Sequence, residues 1–282
     1  MKDSPLQLPP AESPVLASYL DHFDLERRAE PGRLLRQVAS AYAQIPYENL
    51  TKIIKQAAAG NVAEARRSPA EVIADHARWG AGGTCFALTA ALLHLVRALG
   101  WRAEPILADR HYGANTHCAL VVWIDDQPHL LDPGYLIVEP LPLFGDGTRR
   151  LRTAFNELVL TAHGGGARID LATVQHGQTT PRLTYKTQPV DAGAFLKAWD
   201  MSFGLDMMHY PVLTRIDGGR QVYLQRNRLL LRGHDASQRM ELDPEKLAQC
   251  IAEHFRIDAG VAARALAILH RRGDDHGSAS AR

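Results

Sequence analysis

Three side chains in this sequence have the types needed to build a nucleophile: Cys85, His117 and Asp132. Cys85 follows the stretch Gly80-Ala81-Gly82-Gly83-Thr84, a backbone free to turn sharply. It opens an apolar segment in which Phe86, Leu88, Leu92, Leu93, Leu95, Val96 and Leu99 carry helical spacing and Gly100 is the stop. A cysteine in the first turn of a helix sits among unpaired N–H groups at the positive end of the dipole. Both favour the thiolate, the form that attacks a carbonyl carbon. A thiolate catalyst needs a base, and the base needs an orienting group. His117 begins one predicted strand and Asp132 ends the next, so the roles would be Cys85 as nucleophile, His117 as base and then acid, and Asp132 as the holder of the imidazole.

Each residue also has an ordinary explanation. Free cysteine is commonly buried and inert. His117 could bond a backbone carbonyl at a strand end, and Asp132 could simply form the turn of Asp-Pro-Gly. With Asp125-Asp126-Gln127-Pro128 as the turn, a plain register leaves His117 and Asp132 on one face but staggered by about four residues, ~13 Å. A bulge, strong twist or shifted register has to close that gap.

The elements that must position these residues are legible in outline. Residues 1–14 read as a loose arm and 15–100 as a helical bundle carrying Cys85. Within the bundle Ser68, Pro69 and Glu71 form a capping box that starts the helix leading to Gly80. Residues 101–190 are strand-rich and hold His117 and Asp132. Residues 191–272 mix helix and strand, and 273–282 form a polar tail expected to be disordered. Helices first and strands afterwards indicate an α+β chain rather than alternating βαβ units.

Composition limits the function classes. A net charge of +1, with 13 histidines taken as neutral, gives no field for nucleic acid or an anionic membrane. No apolar run approaches the ~20 residues that span a bilayer, and no signal peptide is legible. The three cysteines, Cys85, Cys118 and Cys250, lack paired spacing, so a cytoplasmic protein without a disulfide framework is expected. No metal site is expected, because His117 and Cys118 are strand neighbours that point to opposite faces. His163-Gly164-Gly165-Gly166 reads as a loop, and Met207-Met208-His209-Tyr210 as packing with a lesser claim on an acceptor pocket.

Gly-Gly-Thr-Cys-Phe, the Asn-Thr-His ending at His117 and the Leu-Asp-Pro-Gly-Tyr containing Asp132 together resemble the arylamine N-acetyltransferase family, whose signatures are Arg-Gly-Gly-x-Cys-Phe-Glu, a strand histidine and Asp-Val-Gly-Phe-Gly. Residues 45–50, Ile-Pro-Tyr-Glu-Asn-Leu, are similar to its Val-Pro-Phe-Glu-Asn-Leu, and the resemblance continues through residues 209–232 and 247–257. It implies a cysteine-protease-like core: a helical bundle, a central β-barrel and a C-terminal α/β lid. It further implies ping-pong acyl transfer through a Cys85 thioester, with coenzyme A thioester as donor and an amine as acceptor. The catalytic set would be Cys85, His117 and Asp132, with Thr84, Phe86, Gly134 and Tyr135 contacting substrate or coenzyme A and Glu48 as a structural neighbour. Phe86 and Tyr135 correspond to the aromatic wall of the cleft.

The chain departs from the family pattern at informative places. Ala81 stands where the family has arginine and Ala87 where it has glutamate, so Glu48 loses its usual cation; Arg78 is the nearest substitute in sequence. Leu136 replaces a glycine, which is expected to narrow the approach of coenzyme A. The departures leave room for a biosynthetic amide synthase, cyclase or thioester hydrolase acting on a carrier-protein-bound chain, and for an inactive binding relative.

Overall fold

The N-terminal third is helical because its apolar residues fall on single stripes between strong start and stop signals. The computed structural model describes residues 4–10, 12–175, 177–234 and 236–279. In chain order it has α1 (Pro14–His22), α2 (Pro31–Tyr42), the two-residue strand β1 (Tyr47–Glu48), α3 (Leu50–Ala58), α4 (Val62–Ala65), α5 (Pro69–Trp79) and α6 (Cys85–Ala98). Both bonds of the Ser68–Glu71 capping box are made. Helix α5 ends at Gly80 in the left-handed conformation, φ 66°, where a side chain would run into the Arg256 carbonyl.

The middle of the chain forms β2 (Ala103–Arg110), β3 (Gly113–Ile124), β4 (Gln127–Asp132), β5 (Ile137–Pro142), β6 (Gly147–Arg152), β7 (Glu157–His163), β8 (Arg168–Gln175) and β9 (Gln178–Lys186). They make one antiparallel eight-stranded sheet in the order β5-β4-β3-β2-β9-β8-β7-β6. Its ends, β5 and β6, are not paired with each other, so the expected barrel takes the form of a half-barrel. After α7 (Ala192–Met201) and two short 3₁₀ turns come β10 (Val212–Asp217), β11 (Arg220–Gln225), β12 (Arg228–Arg232) and β13 (Ser237–Glu241), then α8 (Leu247–Phe255) and α9 (Ala259–Ala279). These four strands and β1 form a second antiparallel sheet, β1-β10-β11-β12-β13.

Three apolar cores hold the parts together. The first joins α1, α2, α5 and α6 to one face of β2 and β3, the second fills the concave side of the half-barrel, and the third lies between the five-stranded sheet and α8 and α9. Helix α7 departs from the expected lid. Phe195, Ala198 and Trp199 pack into the first core, with Trp199 and Phe195 against Phe86, so α7 belongs with the helical bundle. The arm is held too: Arg97 donates to the Leu6 carbonyl at 3.3 Å and Ser13 bonds His94 at 2.8 Å. The tail expected to be disordered from residue 273 continues α9 through Ala279, since a glycine such as Gly273 costs a helix only ~1 kcal/mol unless a left-handed stop follows. Residues 280–282 lie outside the described residues.

Candidate active site

The glycine turn holds Cys85 by backbone contact. Gly82 abuts the Pro46 carbonyl so closely that no Cβ fits, and Gly83 bridges to Tyr47, with the Glu48 N–H donating to the Gly83 carbonyl at 3.0 Å. Thr84 is the N-cap residue of α6, yet its side chain makes no cap bond and its buried Oγ1 has no partner among the described residues. The first-turn N–H groups of α6 are therefore free of a side-chain cap beside the sulfur. Cys85 is only 6% exposed.

The stagger between His117 and Asp132 is half of what the sequence suggests. The turn is Asp125-Asp126 alone, both at positive φ (48° and 59°), so Ile124 pairs with Gln127 and Leu120 with Leu131. Extending that register puts Asp132 opposite Ala119, two residues from His117, a diagonal that long side chains span. His117 Nε2 and Asp132 Oδ2 lie 2.6 Å apart, both fully buried. With Nε2 engaged, Nδ1 is the nitrogen that faces the Arg110 guanidinium at 3.2 Å, and interaction with the Cys85 sulfur raises the proton affinity of the ring. Strand β4 ends at Asp132, which leaves the edge of β3 open at His117 and Cys118, and the start of α6 occupies that opening. Thr89 Oγ1, one turn after Cys85, reaches the Cys118 carbonyl at 3.4 Å. Gly134 then folds over the group. A Cβ there would lie 2.8 Å from His117 Cε1, 3.2 Å from Asp132 Oδ1 and 3.4 Å from Cys85 Cβ.

The charges are arranged to favour a thiolate beside an imidazolium. Burial pushes the Asp132 carboxyl up, but His117, Tyr185 and backbone N–H groups outweigh it and hold the carboxyl below its ordinary range. The donors are the Tyr185 hydroxyl at 2.6 Å and the N–H groups of Gly134 and Tyr135 at 2.8 and 3.1 Å. Burial lowers the proton affinity of His117, and Asp132 and then the Cys85 bond raise it above the usual histidine value. The Cys85 thiol is held well below its ordinary pKa, first by a hydrogen bond from Cys118 and then, against burial, by His117 and Arg110. Cys118 moves the opposite way, raised by burial and by its bond to Cys85. Cys118 lies on the other face of β3 from His117, in the core beneath α6.

Glu48 keeps a cation despite Ala81. The carboxylate is fully buried and accepts from the Thr51 N–H at 2.9 Å and from the Thr51 hydroxyl. Arg67 Nη1 stands 3.8 Å from Glu48 and 2.8 Å from Thr51 Oγ1, donates to the Gly82 carbonyl, and its other branch pairs with Asp75 at 2.6 Å. The cation therefore comes from the link between α4 and α5. Arg78 lies instead over the Trp79 ring.

A cavity of about 750 Å³ lies between the two sheets, lined by neighbours of this cluster and not by Cys85, His117 or Asp132 themselves. Its inner end is bounded by Tyr47, Arg110, Gly134 and Tyr135. Arg110 Nη2 is 3.2 Å from His117 Nδ1, and the Tyr135 ring meets His117 edge-on with centroids 5.4 Å apart. Of the residues expected to contact substrate, Gly134 and Tyr135 border the cavity, whereas Thr84 and Phe86 are buried behind the sulfur. Phe86 sits in the helical core against Phe195 and Trp199, the place that helical periodicity alone assigns it. Leu136 borders the cavity at φ 60°, a conformation natural to the glycine it replaces. Met207 and Tyr210 also line it, while Met208 is core. Cys118, Tyr185, Arg110 and Arg67 do not stand out as site residues in the sequence. Only Cys118, adjacent to His117, carries a local signal. Among the described residues no three His, Cys, Asp or Glu side chains gather as a metal would require, and no helix is long and apolar enough to cross a membrane.

Comparison with known proteins gives a consistent result. The N-acetyltransferase family profile matches residues 33–264. An arylamine N-acetyltransferase from Mycobacterium abscessus superposes with a TM-score of 0.75 at 19% identity, over 90% of this chain and 94% of that one. The arylamine N-acetyltransferase of M. smegmatis gives 0.72 at 22% identity, over 90% and 98%. An enzyme from Bacillus cereus, described as having a unique Cys-His-Glu catalytic triad, gives 0.69 at 13% identity, over 88% and 100%. No curated protein sequence matches significantly.

Proposed function

The chain belongs to the arylamine N-acetyltransferase family, and from that premise we propose that it moves an acyl group from a coenzyme A thioester to an amine through an acyl-Cys85 intermediate. The observation that carries this reading is the buried His117–Asp132 pair, 2.6 Å apart and gathered with Cys85 around Gly134, beside a thiol held below its ordinary pKa.

The Cys85 sulfur attacks the thioester carbonyl carbon. The first-turn N–H groups of α6 are the candidates to receive the developing oxyanion. The carbon–sulfur bond of the donor breaks, and the departing thiolate takes the proton of the His117 imidazolium. In the second half the amine attacks the acyl carbon, His117 accepts the N–H proton, and the Cys85 thiolate leaves to restore the ion pair. A thioester enzyme is close in energy to its thioester donor, so neither half is strongly uphill. Asp132 holds the imidazole and favours its charged form, and its three further donors keep it ionised. Gly134 and Tyr135 contact the reacting groups, while Thr84 and Phe86 hold the start of α6 and Glu48 supports the glycine turn. A cytoplasmic location fits an acyl-coenzyme A donor.

Incubation with acetyl-coenzyme A alone, followed by intact-mass analysis, should show one added acyl group that is absent in Cys85→Ala and discharged by an arylamine to give the amide. Discharge by water at the same rate with and without amine would make the protein a thioester hydrolase. Acylation only by a carrier-protein thioester would replace the donor. No adduct with any thioester would leave a binding relative.

A further inference from the structure

The five-stranded sheet has two unlike faces. Leu213, Val222, Leu224 and Leu229 pack on α8 and α9. Strand alternation sends Thr214, Gln221, Tyr223 and Arg232 to the other face, where they line the cavity. Opposite them, Arg182 of β9 donates through Nε to Thr173 Oγ1 at 2.8 Å. Arg182 and Arg232 are near enough to repel: burial, then Arg182 and Arg239, lower the proton affinity of Arg232. Neither Arg182 nor Arg232 forms an ion pair with a carboxylate among the described residues. Asp206, the acid on the cavity lining, is exposed at its rim. Arg232 Nε and Gln221 Oε1 are buried without a partner among the described residues. Two like charges and an orphaned donor and acceptor in one half-buried place are costly unless a ligand completes them.

The position limits that ligand. Tyr47 at the thiol end and Arg232 are three strand spacings apart with a two-residue offset along the strand, roughly 16 Å. Beyond Arg232 lies Ser237, its partner on β13, and Gln175 Nε2 donates to Ser237 Oγ at 3.1 Å, joining the two sheets. A ligand running down the cleft therefore ends at the arginines. A carboxylate ends a molecule, whereas the diphosphate of coenzyme A is followed by its nucleotide. Building on the acyl-transfer reading, we propose that Arg182, Arg232 and Gln221 form a subsite for the carboxylate of an elongated amine acceptor, with the guanidinium groups on the carboxylate and Gln221 Oε1 taking a hydrogen from a donor beside it.

The test compares 4-(4-aminophenyl)butanoate with its carboxamide as acceptors, using acetyl-coenzyme A and the phosphate-free donor S-acetyl-N-acetylcysteamine. The native enzyme should prefer the acid in kcat/KM by on the order of 10- to 100-fold, the worth of a charge-assisted hydrogen-bonded pair. Arg232→Gln and Arg182→Gln should each collapse the preference, with Arg232→Lys keeping part of it. A preference that is absent, or that survives both glutamine variants, overturns the subsite. So does a loss that appears only as a raised KM for acetyl-coenzyme A and disappears with the phosphate-free donor, which would assign the arginines to donor phosphates. Calorimetric binding of the two amines to Cys85→Ser reads the subsite without acyl chemistry. Failure of the transfer reaction and failure of the subsite are thus separate results.

Discussion

Replacing Arg67 by methionine tests whether the cation supplied from the link between α4 and α5 does what the family's missing arginine would have done. The substitution keeps most of the side-chain volume and removes the charge from a site where both partners are almost fully buried. At 3.8 Å and an effective dielectric of about 20, the direct attraction between Arg67 and Glu48 is about 4 kcal/mol. Removing one partner of a buried pair costs about 3–5 kcal/mol, because the other charge stays behind unpaired. Arg67→Met should therefore lower unfolding stability by about that amount in urea titrations at pH 7. Part of the loss should return in Arg67→Met/Glu48→Gln, with a coupling on the order of 1–3 kcal/mol. Cys85 acylation should slow in the single variant, since Arg67 also holds the Gly82 carbonyl. A loss under about 1 kcal/mol together with no coupling would refute the reasoning and leave Glu48 supported by Thr51 alone.

Cys118→Ala removes the hydrogen bond that contributes most to holding Cys85 ionised. The pH profile of Cys85 alkylation by iodoacetamide should shift to higher pH, with the rate near neutrality falling several-fold. Gly134→Ala places a methyl group against His117 and Cys85; acyl transfer should drop by roughly 100-fold or more, while calorimetric unfolding shows a loss of only ~1–3 kcal/mol. Lys52 is buried in α3 with its ammonium on Ser202, and burial lowers its pKa to about 7. Between pH 7 and the ordinary lysine value near 10.5 the unfolded chain binds more protons, so this group makes stability rise with pH there; below pH 7 its burial costs most. Lys52→Met should accordingly gain on the native protein by a few kcal/mol at about pH 6, less its Ser202 bonds, with the gain shrinking toward about pH 10 in denaturant titrations.

What the sequence discloses depends on whether a residue's signal is local. The helix start at Cys85, the capping box at Ser68 and the stops at Gly80 and Gly100 are written in a few adjacent residues, and the structure has them where expected. The hairpin reads wrongly because Asp125-Asp126 lacks the glycine that usually marks a two-residue turn, so a longer loop is inferred and the His117–Asp132 stagger doubles. Strands β6 and β13 are invisible to pattern reading because Gly-Thr-Arg-Arg-Leu-Arg and Ser-Gln-Arg-Met-Glu are mostly exposed and carry no alternation. The partners that complete the candidate site come from far along the chain. Tyr185 reaches Asp132 from 53 residues away and Arg67 reaches Glu48 from the link between α4 and α5. No periodicity within either segment announces such a meeting. Phe86 shows the converse: the resemblance draws it toward the cleft, while its helical spacing already places it in the core.

The segment Pro46 to Asn49 is small, but it joins the glycine turn of the helical bundle to the five-stranded sheet. Pro46 and Tyr47 set the glycine turn, Tyr47 and Glu48 are the edge strand beside β10, and Asn49 stitches the carbonyls of Met207 and Tyr210 to the N–H of Val212. The five-stranded sheet beside the cavity is consequently tied to the loop that presents the sulfur. It cannot swing on a hinge without breaking the Asn49 bonds and the β1–β10 pairing. For the same reason, grafting the C-terminal sheet of a relative onto this chain would alter the reactivity of Cys85 along with the choice of acceptor.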